Sequence, residues 1–255
     1  MRAAAAFLVL VASAAPAAAQ EPGWTASRSP RGVSAELELS GDARLKAQCD
    51  AGTIYLLLHG PGVAGLPDEV MTRGHLEDVP EVGGPWLRWE EGGPLLSRAP
   101  ARNIRMLLLA DRLHLGMGPW PGDPVQVFER DLPEDDAPLL AVLADCDEPA
   151  STERDQPPAE AVAAGRDAAM RTSWARYPVG VFPQAAIRAK QSRGEVWLTC
   201  VIAAGNVLTD CRVESAFPAG YGFGEAALEA AGRARLISGV EGAHVAFRVA
   251  FRMAD

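Results

Sequence analysis

Residue types that carry chemistry are scarce in this chain and scattered where they occur. Its four histidines, His59, His75, His114 and His244, are dispersed over 255 residues, and no two stand at His-x-x-x-His spacing. No Gly-x-Ser-x-Gly is present, so the strand-to-helix elbow of a serine hydrolase is not written here. Gly116-Met117-Gly118 is followed by neither a Lys nor a capped helix and reads as a turn, not a phosphate loop. Four cysteines occur, none at Cys-x-x-Cys spacing, so the usual zinc and thioredoxin signals are both missing. No Lys/Arg cluster is dense enough for a nucleic-acid face. The pairs Glu90-Glu91 and Asp135-Asp136 are adjacent in sequence and read as solvated turn or cap residues. These absences turn the reading away from an enzyme and away from any cofactor, metal or nucleic-acid ligand.

What is present starts with an export signal. Arg2 precedes an apolar run centred on Phe7 to Val11, and the small residues Ala17-Ala18-Ala19 stand just before Gln20. A basic start, a short apolar stretch and a small-residue cleavage site form the layout of a secretory signal peptide, here residues 1–19. A membrane-spanning helix needs roughly 20 strongly apolar residues, and this run is short, Ala-rich and broken by Pro16. The expectation is a periplasmic protein with no stable span after cleavage. Retention of residues 1–19 would instead anchor it in the inner membrane. In an oxidising compartment, four cysteines favour disulfides.

The formal charge is -9 and is unevenly spread. From Glu129 to Glu160 there are eleven acidic and two basic residues; from Tyr177 to Asp255 there are seven acidic and eight basic. The acidity therefore belongs to a connecting region rather than to the C-terminal part.

Residues 24–147 read as a β-rich domain. Val33, Ala35, Leu37 and Leu39 alternate with polar residues, the period of a half-buried strand. Thr53 to Leu58 is a continuous apolar run, as in a strand covered on both sides. Trp86 to Trp89, Ile104 to Leu109, Arg112 to Leu115 and Val125 to Phe128 add further strands. Turns are expected at Gly60-Pro61-Gly62, Gly83-Gly84-Pro85, Gly92-Gly93-Pro94 and 118–122. Short strands with regular turn signals predict an antiparallel sandwich or barrel. Trp86, Trp89 and Trp120 read as core or rim, with a ligand-groove lining as the alternative. A helix closes the region, capped by Asp135 or Asp136, with Pro138 in its first turn and Leu139, Leu140, Val142 and Leu143 as its apolar face. Cys146 at its end pairs with Cys49 at the end of the Leu45–Gln48 strand, a loop worth roughly 4–5 kcal/mol in the chain-entropy description. Residues 148–176 read as an acidic Pro/Ala linker with a short helix over 159–170.

The C-terminal part, 177–255, has the clearest pattern. Val196 to Ile202 and Val207 to Val213 are two strands around Gly205-Asn206, a dipeptide that tolerates positive φ. With those two as the turn, Cys200 lies opposite Cys211. Val196, Leu198, Cys200, Ile202, Val207, Thr209, Cys211 and Val213 then share one face, so the disulfide and hydrophobic registers agree. A helix follows over 225–236. In the last strand Val245, Phe247, Val249, Phe251 and Met253 point one way, and His244, Arg248 and Arg252 the other.

Phe182-Pro183, Gly194-Glu195-Val196, Gly205 with Val207, Gly224-Glu225-Ala226-Ala227-Leu228 and the final Phe-Arg-Val-Ala-Phe together resemble the C-terminal domain of TonB energy transducers, over residues 177–253. The resemblance implies a ββαβ fold, hence an α+β chain overall. It also implies a docking edge at His244, Val245, Ala246, Phe247, Arg248, Val249, Ala250, Phe251, Arg252 and Met253. The implied partner is a segment of an outer-membrane receptor, added as an extra strand. The chain departs from the family in its cleavable signal, its short connector and its preceding β-rich region. The resemblance therefore extends to strand binding and not to force transmission. A scaffolding protein without a receptor, and a homodimer paired edge to edge, are the alternatives.

Overall fold

The computed structural model describes residues 23–40, 42–76, 79–88, 90–119, 124–152, 155 and 173–253. The expected signal peptide, the expected helix over 159–170, most of the linker, and Trp89 and Trp120 lie outside them. The chain is a mixed α and β structure built on two antiparallel sheets, each with its own apolar core. No helix among the described residues is long and apolar enough to cross a membrane.

The first sheet has nine strands: β1 (Thr25–Ser29), β2 (Gly32–Glu38), β3 (Arg44–Asp50), β4 (Thr53–His59), β5 (Glu69–Leu76), β6 (Val79–Arg88), β7 (Leu95–Ser97), β8 (Arg112–Gly118) and β9 (Gln126–Asp131). Their order is β1-β2-β3-β4-β7-β6-β5-β8-β9. Sandwich and barrel were both open from sequence; the strands form one sheet with half-barrel curvature. The curl brings β9 back to the β2–β3 turn, where the Glu129 N–H donates to Ser40 Oγ at 3.3 Å. Alternation sets the inside: Val33, Ala35 and Leu37 on β2, and Ile54, Leu56 and Leu58 on β4, are all buried. Trp86 is core, 2% exposed.

Two helices cover this sheet. The stretch 104–109, expected as a strand, belongs to α1 (Pro100–Leu107). Pro100 pre-sets its first turn, and Ala101, Ile104 and Leu107 recur at helical spacing. Ser97 Oγ accepts from Asn103 Nδ2 at 2.9 Å and from the Ala99 N–H at 3.2 Å, fixing the helix entrance. Helix α2 (Ala137–Asp145) starts with Asp135 Oδ1 accepting the Ala137 N–H at 3.1 Å. Leu139, Val142 and Leu143 face the sheet, while Leu140, expected with them, is exposed. The Cys49–Cys146 disulfide joins β3 to the end of α2, Cα atoms 5.6 Å apart, over a separation of 97 residues. Gly83-Gly84-Pro85 forms no turn; it lies inside β6.

The second sheet has five strands: β10 (Trp174–Arg176), β11 (Arg193–Ala203), β12 (Val207–Phe217), β13 (Arg235–Leu236) and β14 (His244–Arg252), in the order β10-β13-β12-β11-β14. Its helices are α3 (Gln184–Arg188) and α4 (Phe223–Arg233). The helix begins two residues before its expected start, behind Gly222 at φ 81°, and Arg235-Leu236 leave it for β13. Ala227, Ala230 and Ala231 allow α4 to lie close on the strands. A Cβ on Gly194 would collide with the Phe223 ring, so the helix start needs that glycine.

The hairpin register differs from expectation. Beside the turn Ala203 pairs with Val207 and Ile202 with Leu208, because the turn has three residues, Ala204–Asn206. An extra residue near Asp210, at φ 45°, then shifts the register before Thr199 meets Arg212. A second extra residue follows before Trp197 meets Ser215. These are β-bulges, and each moves the following side chains of β12 to the other face. Leu208 is therefore the buried one near the turn, while Thr209 is exposed and Val207 half-buried. Between the bulges Cys200 and Cys211 meet, Cα atoms 4.0 Å apart, and are bonded.

Candidate partner-strand edge

Strand β14 ends the second sheet, and its pairing with β11 fixes which of its backbone groups point outward. Two bonds in that register decide it. The Met253 N–H donates to Ser192 O at 3.0 Å, and the Ile202 N–H donates to Ala243 O at 2.9 Å. Residues opposite one another alternate between hydrogen-bonded and non-bonded pairs in an antiparallel ladder. The odd-numbered residues of β14 therefore bond to β11. The even-numbered ones, His244, Ala246, Arg248, Ala250 and Arg252, direct N–H and C=O away from it. Among the described residues no strand pairs with that side.

Side chains follow the same parity. Val245, Phe247, Val249 and Phe251 are buried in the core of the second sheet, while Ala246, Arg248, Ala250 and Arg252 are exposed on the opposite face. Met253, expected on the inner face, lies just past the strand and is exposed. Cys200, directly opposite Val245, is buried, so the disulfide ties β11 to β12 behind the edge.

An extended segment, 177–183, runs beside this edge. Trp174 meets Phe247 edge-to-face with ring centres 5.0 Å apart. Phe182 packs against Phe223 at 5.5 Å and Phe251 at 6.5 Å. Gly180 lies so close that a Cβ there would collide with the Phe251 ring. The strap exposes its alternate residues: Tyr177 is 52%, Val179 72% and Val181 70% exposed. The Tyr177 hydroxyl donates to the Arg248 carbonyl at 3.0 Å. That carbonyl is one of those the parity turns outward. Nothing in the sequence reading assigned the strap a role, although the alternation Tyr177, Val179, Val181 against Pro178, Gly180, Phe182 was there to be read.

Behind the edge the two sheets are joined. Glu195 on β11 is paired with Arg98, which follows β7, and both side chains are nearly buried, 10% and 7% exposed. Burial pulls the Arg98 guanidinium below its ordinary pKa, and the Glu195 charge and hydrogen bond oppose that pull. The second Glu195 oxygen faces Arg248 at 3.7 Å. Two guanidiniums thus share one carboxylate. The Arg98 N–H donates to Pro85 O at 3.2 Å, but Pro85 has no N–H to return to the Arg98 carbonyl. Ser215 Oγ of β12 supplies the missing donor at 3.0 Å. Tyr55 and Phe217 meet edge-to-face at 6.5 Å beside it. Further along α1, Arg105 binds Asp155 and Glu148. Burial alone would lower its pKa; its bond to Asp155 and the nearby carboxylates raise it instead.

The first sheet carries two His–carboxylate pairs, His114 Nδ1 to Glu129 Oε1 at 2.8 Å and His59 Nε2 to Glu36 Oε2 at 3.5 Å. The first joins directly opposite residues of β8 and β9 and is well exposed; the second reaches across β3 and is too long for a hydrogen bond. Among the described residues no group of three or more His, Cys, Asp and Glu is placed to hold a metal. Compared with known proteins, the chain matches no family model and no curated protein.

Proposed function

We propose that this chain is a TonB-like envelope adaptor that binds an extended segment of a protein partner along β14. The observation that carries the reading is the outward row of N–H and C=O groups at the even positions of β14, on a strand whose other side is already fixed by β11. Such a row is a template for one more strand: main-chain bonds give affinity and alternate side chains give selectivity. The chain order β11-β12-α4-β13-β14, a ββαβ core with β11 between β12 and β14 to which the short strands β10 and β13 are added, supports the likeness to the TonB C-terminal domain. The partner is then an outer-membrane receptor segment, and the compartment the periplasm, where both disulfides would persist. Energy coupling is not part of the proposal.

A scaffolding role is the second reading, and the buried Arg98–Glu195 pair favours it, because it binds the edge-bearing sheet to the first sheet. The two separate in one experiment: titrate the full chain, labelled with 15N, with receptor plug-segment peptides. Strand docking predicts amide shifts concentrated on residues 244–253. Shifts spread elsewhere, or none, would leave the scaffold. An Ala250→Pro variant removes an outward N–H without touching the β11 ladder, and should weaken binding at least tenfold while the rest of the spectrum is kept.

A further inference from the structure

The edge described above is not neutral, and its charge specifies what it accepts. The strap and the turn after it, residues 174–193, contain four basic residues and no acidic one. Strand β14 adds Arg248 and Arg252, again with no carboxylate. In the β11–β14 register Arg193 stands directly opposite Arg252. Arg248 shares its carboxylate, Glu195, with the buried Arg98. Among the described residues Arg252 has no carboxylate partner.

A second copy of this chain is therefore a poor occupant. Antiparallel pairing of two β14 edges would bring the arginines of one copy against those of the other. An acidic strand is a good one. Arg248 and Arg252 lie on the same face, four residues and roughly 13–14 Å apart along the strand. Ala250 between them leaves room for a larger neighbour. On the opposite face the incoming strand meets the exposed side chains of Tyr177, Val179 and Val181.

We infer that the β14 edge selects an extended protein segment with carboxylates four residues apart on one face and apolar side chains at the two alternate positions between them. This rests on the strand-docking reading above. The carboxylates stand opposite Arg248 and Arg252, on the face those two arginines share. The apolar pair packs on the strap.

Three capped peptides test this against the full chain: one with the core Glu-Val-Ser-Val-Glu, one with Gln for both Glu, and one with Lys for both. At low salt the Glu peptide should bind five- to twenty-fold more tightly than the Gln peptide, and the Lys peptide weakest of all. The gap should close as salt shortens the screening length to roughly 3 Å near 1 M. Arg252→Gln should shrink the advantage of the Glu peptide over the Gln peptide at least two- to threefold. If Glu and Gln peptides bind equally while both shift the amides of 244–253, the charge selectivity is wrong and strand docking stands. If no peptide shifts those amides, docking itself falls and the inference falls with it.

Discussion

The two sheets solve the same problem in opposite ways. Each is antiparallel, carries helices on its core face and is tied by a disulfide, but they differ at their edges. In the first sheet β1 is short, polar and exposed at every residue, which makes it a poor template for pairing. At the other end the curl brings β9 onto Ser40. In the second sheet β14 is nine residues long, strictly alternating and buried on one face, with a strap and a tyrosine hydroxyl, but no further strand among the described residues, beside it. A protein that masks the edges of one sheet and leaves a long regular edge on the other has placed its pairing capacity in one region. The disulfides repeat the contrast, closing 97 residues in the first case and 11 in the second.

The largest test of the comparison is therefore the long disulfide. Cys49→Ser with Cys146→Ser should cost about 4–5 kcal/mol, because the longer loop restricts the unfolded chain more. Since a typical domain has only about 5–15 kcal/mol in hand, the first sheet should lose much of its margin. Differential scanning calorimetry of the double variant should show its transition lowered by roughly 10 °C or more. A shift no larger than that of the short disulfide would show that α2 is held by its apolar face alone.

Next is the joint between the sheets. Glu195→Ala leaves the Arg98 guanidinium buried without its carboxylate, and breaking a buried pair costs about 3–5 kcal/mol. The lower end is expected, since Arg248 keeps the Glu195 site near solvent. Replacing both partners, Arg98→Met with Glu195→Leu, should return most of the loss. If the single variant unfolds no earlier than the parent, the pair is not what joins the sheets. The short disulfide comes third: Cys200→Ser with Cys211→Ser should cost about 2–3 kcal/mol. Hydrogen exchange should rise first at Val196 to Ile202, and peptide shifts on β14 should persist. Loss of those shifts would make the disulfide part of the docking edge rather than a staple behind it.

How much of this was readable in advance follows from where side-chain period alone decides the outcome. On β2 and β14 one face is buried and the other solvated, so alternation named every inward residue within the strands. Alternation could not see the bulges on β12, because an inserted residue changes register without changing composition; the inward place beside the turn went to Leu208 rather than Val207 or Thr209. Helix α1 was hidden for a different reason. Its polar residues Asn103 and Arg105 are buried, satisfied by Ser97 and by Asp155 with Glu148, so polarity does not mark a solvent face, and Ile104 to Leu109, broken only by Arg105, reads as a strand-like run. The candidate site divides the same way. The strand itself was legible, but Glu195, Arg98 and Tyr177 reach it from separate elements, and no local pattern joins residues so far apart in sequence.

The smallest expected effect bears most directly on the edge. The Tyr177 hydroxyl occupies an outward carbonyl that an added strand would need for its own N–H, so it competes with a partner at Arg248. Tyr177→Phe removes that donor but keeps the ring beside Trp174, whose centre is 5.6 Å away. An exposed hydrogen bond is worth about 0.5–1.5 kcal/mol, so the variant should bind an acidic strand peptide two- to tenfold more tightly, read by isothermal titration. Its own stability should fall by a similar small amount, because the free chain loses the bond that the complex never makes. The sign is what matters. Weaker binding by the variant would mean that the hydroxyl donates to the partner in the complex instead of competing with it for the Arg248 carbonyl.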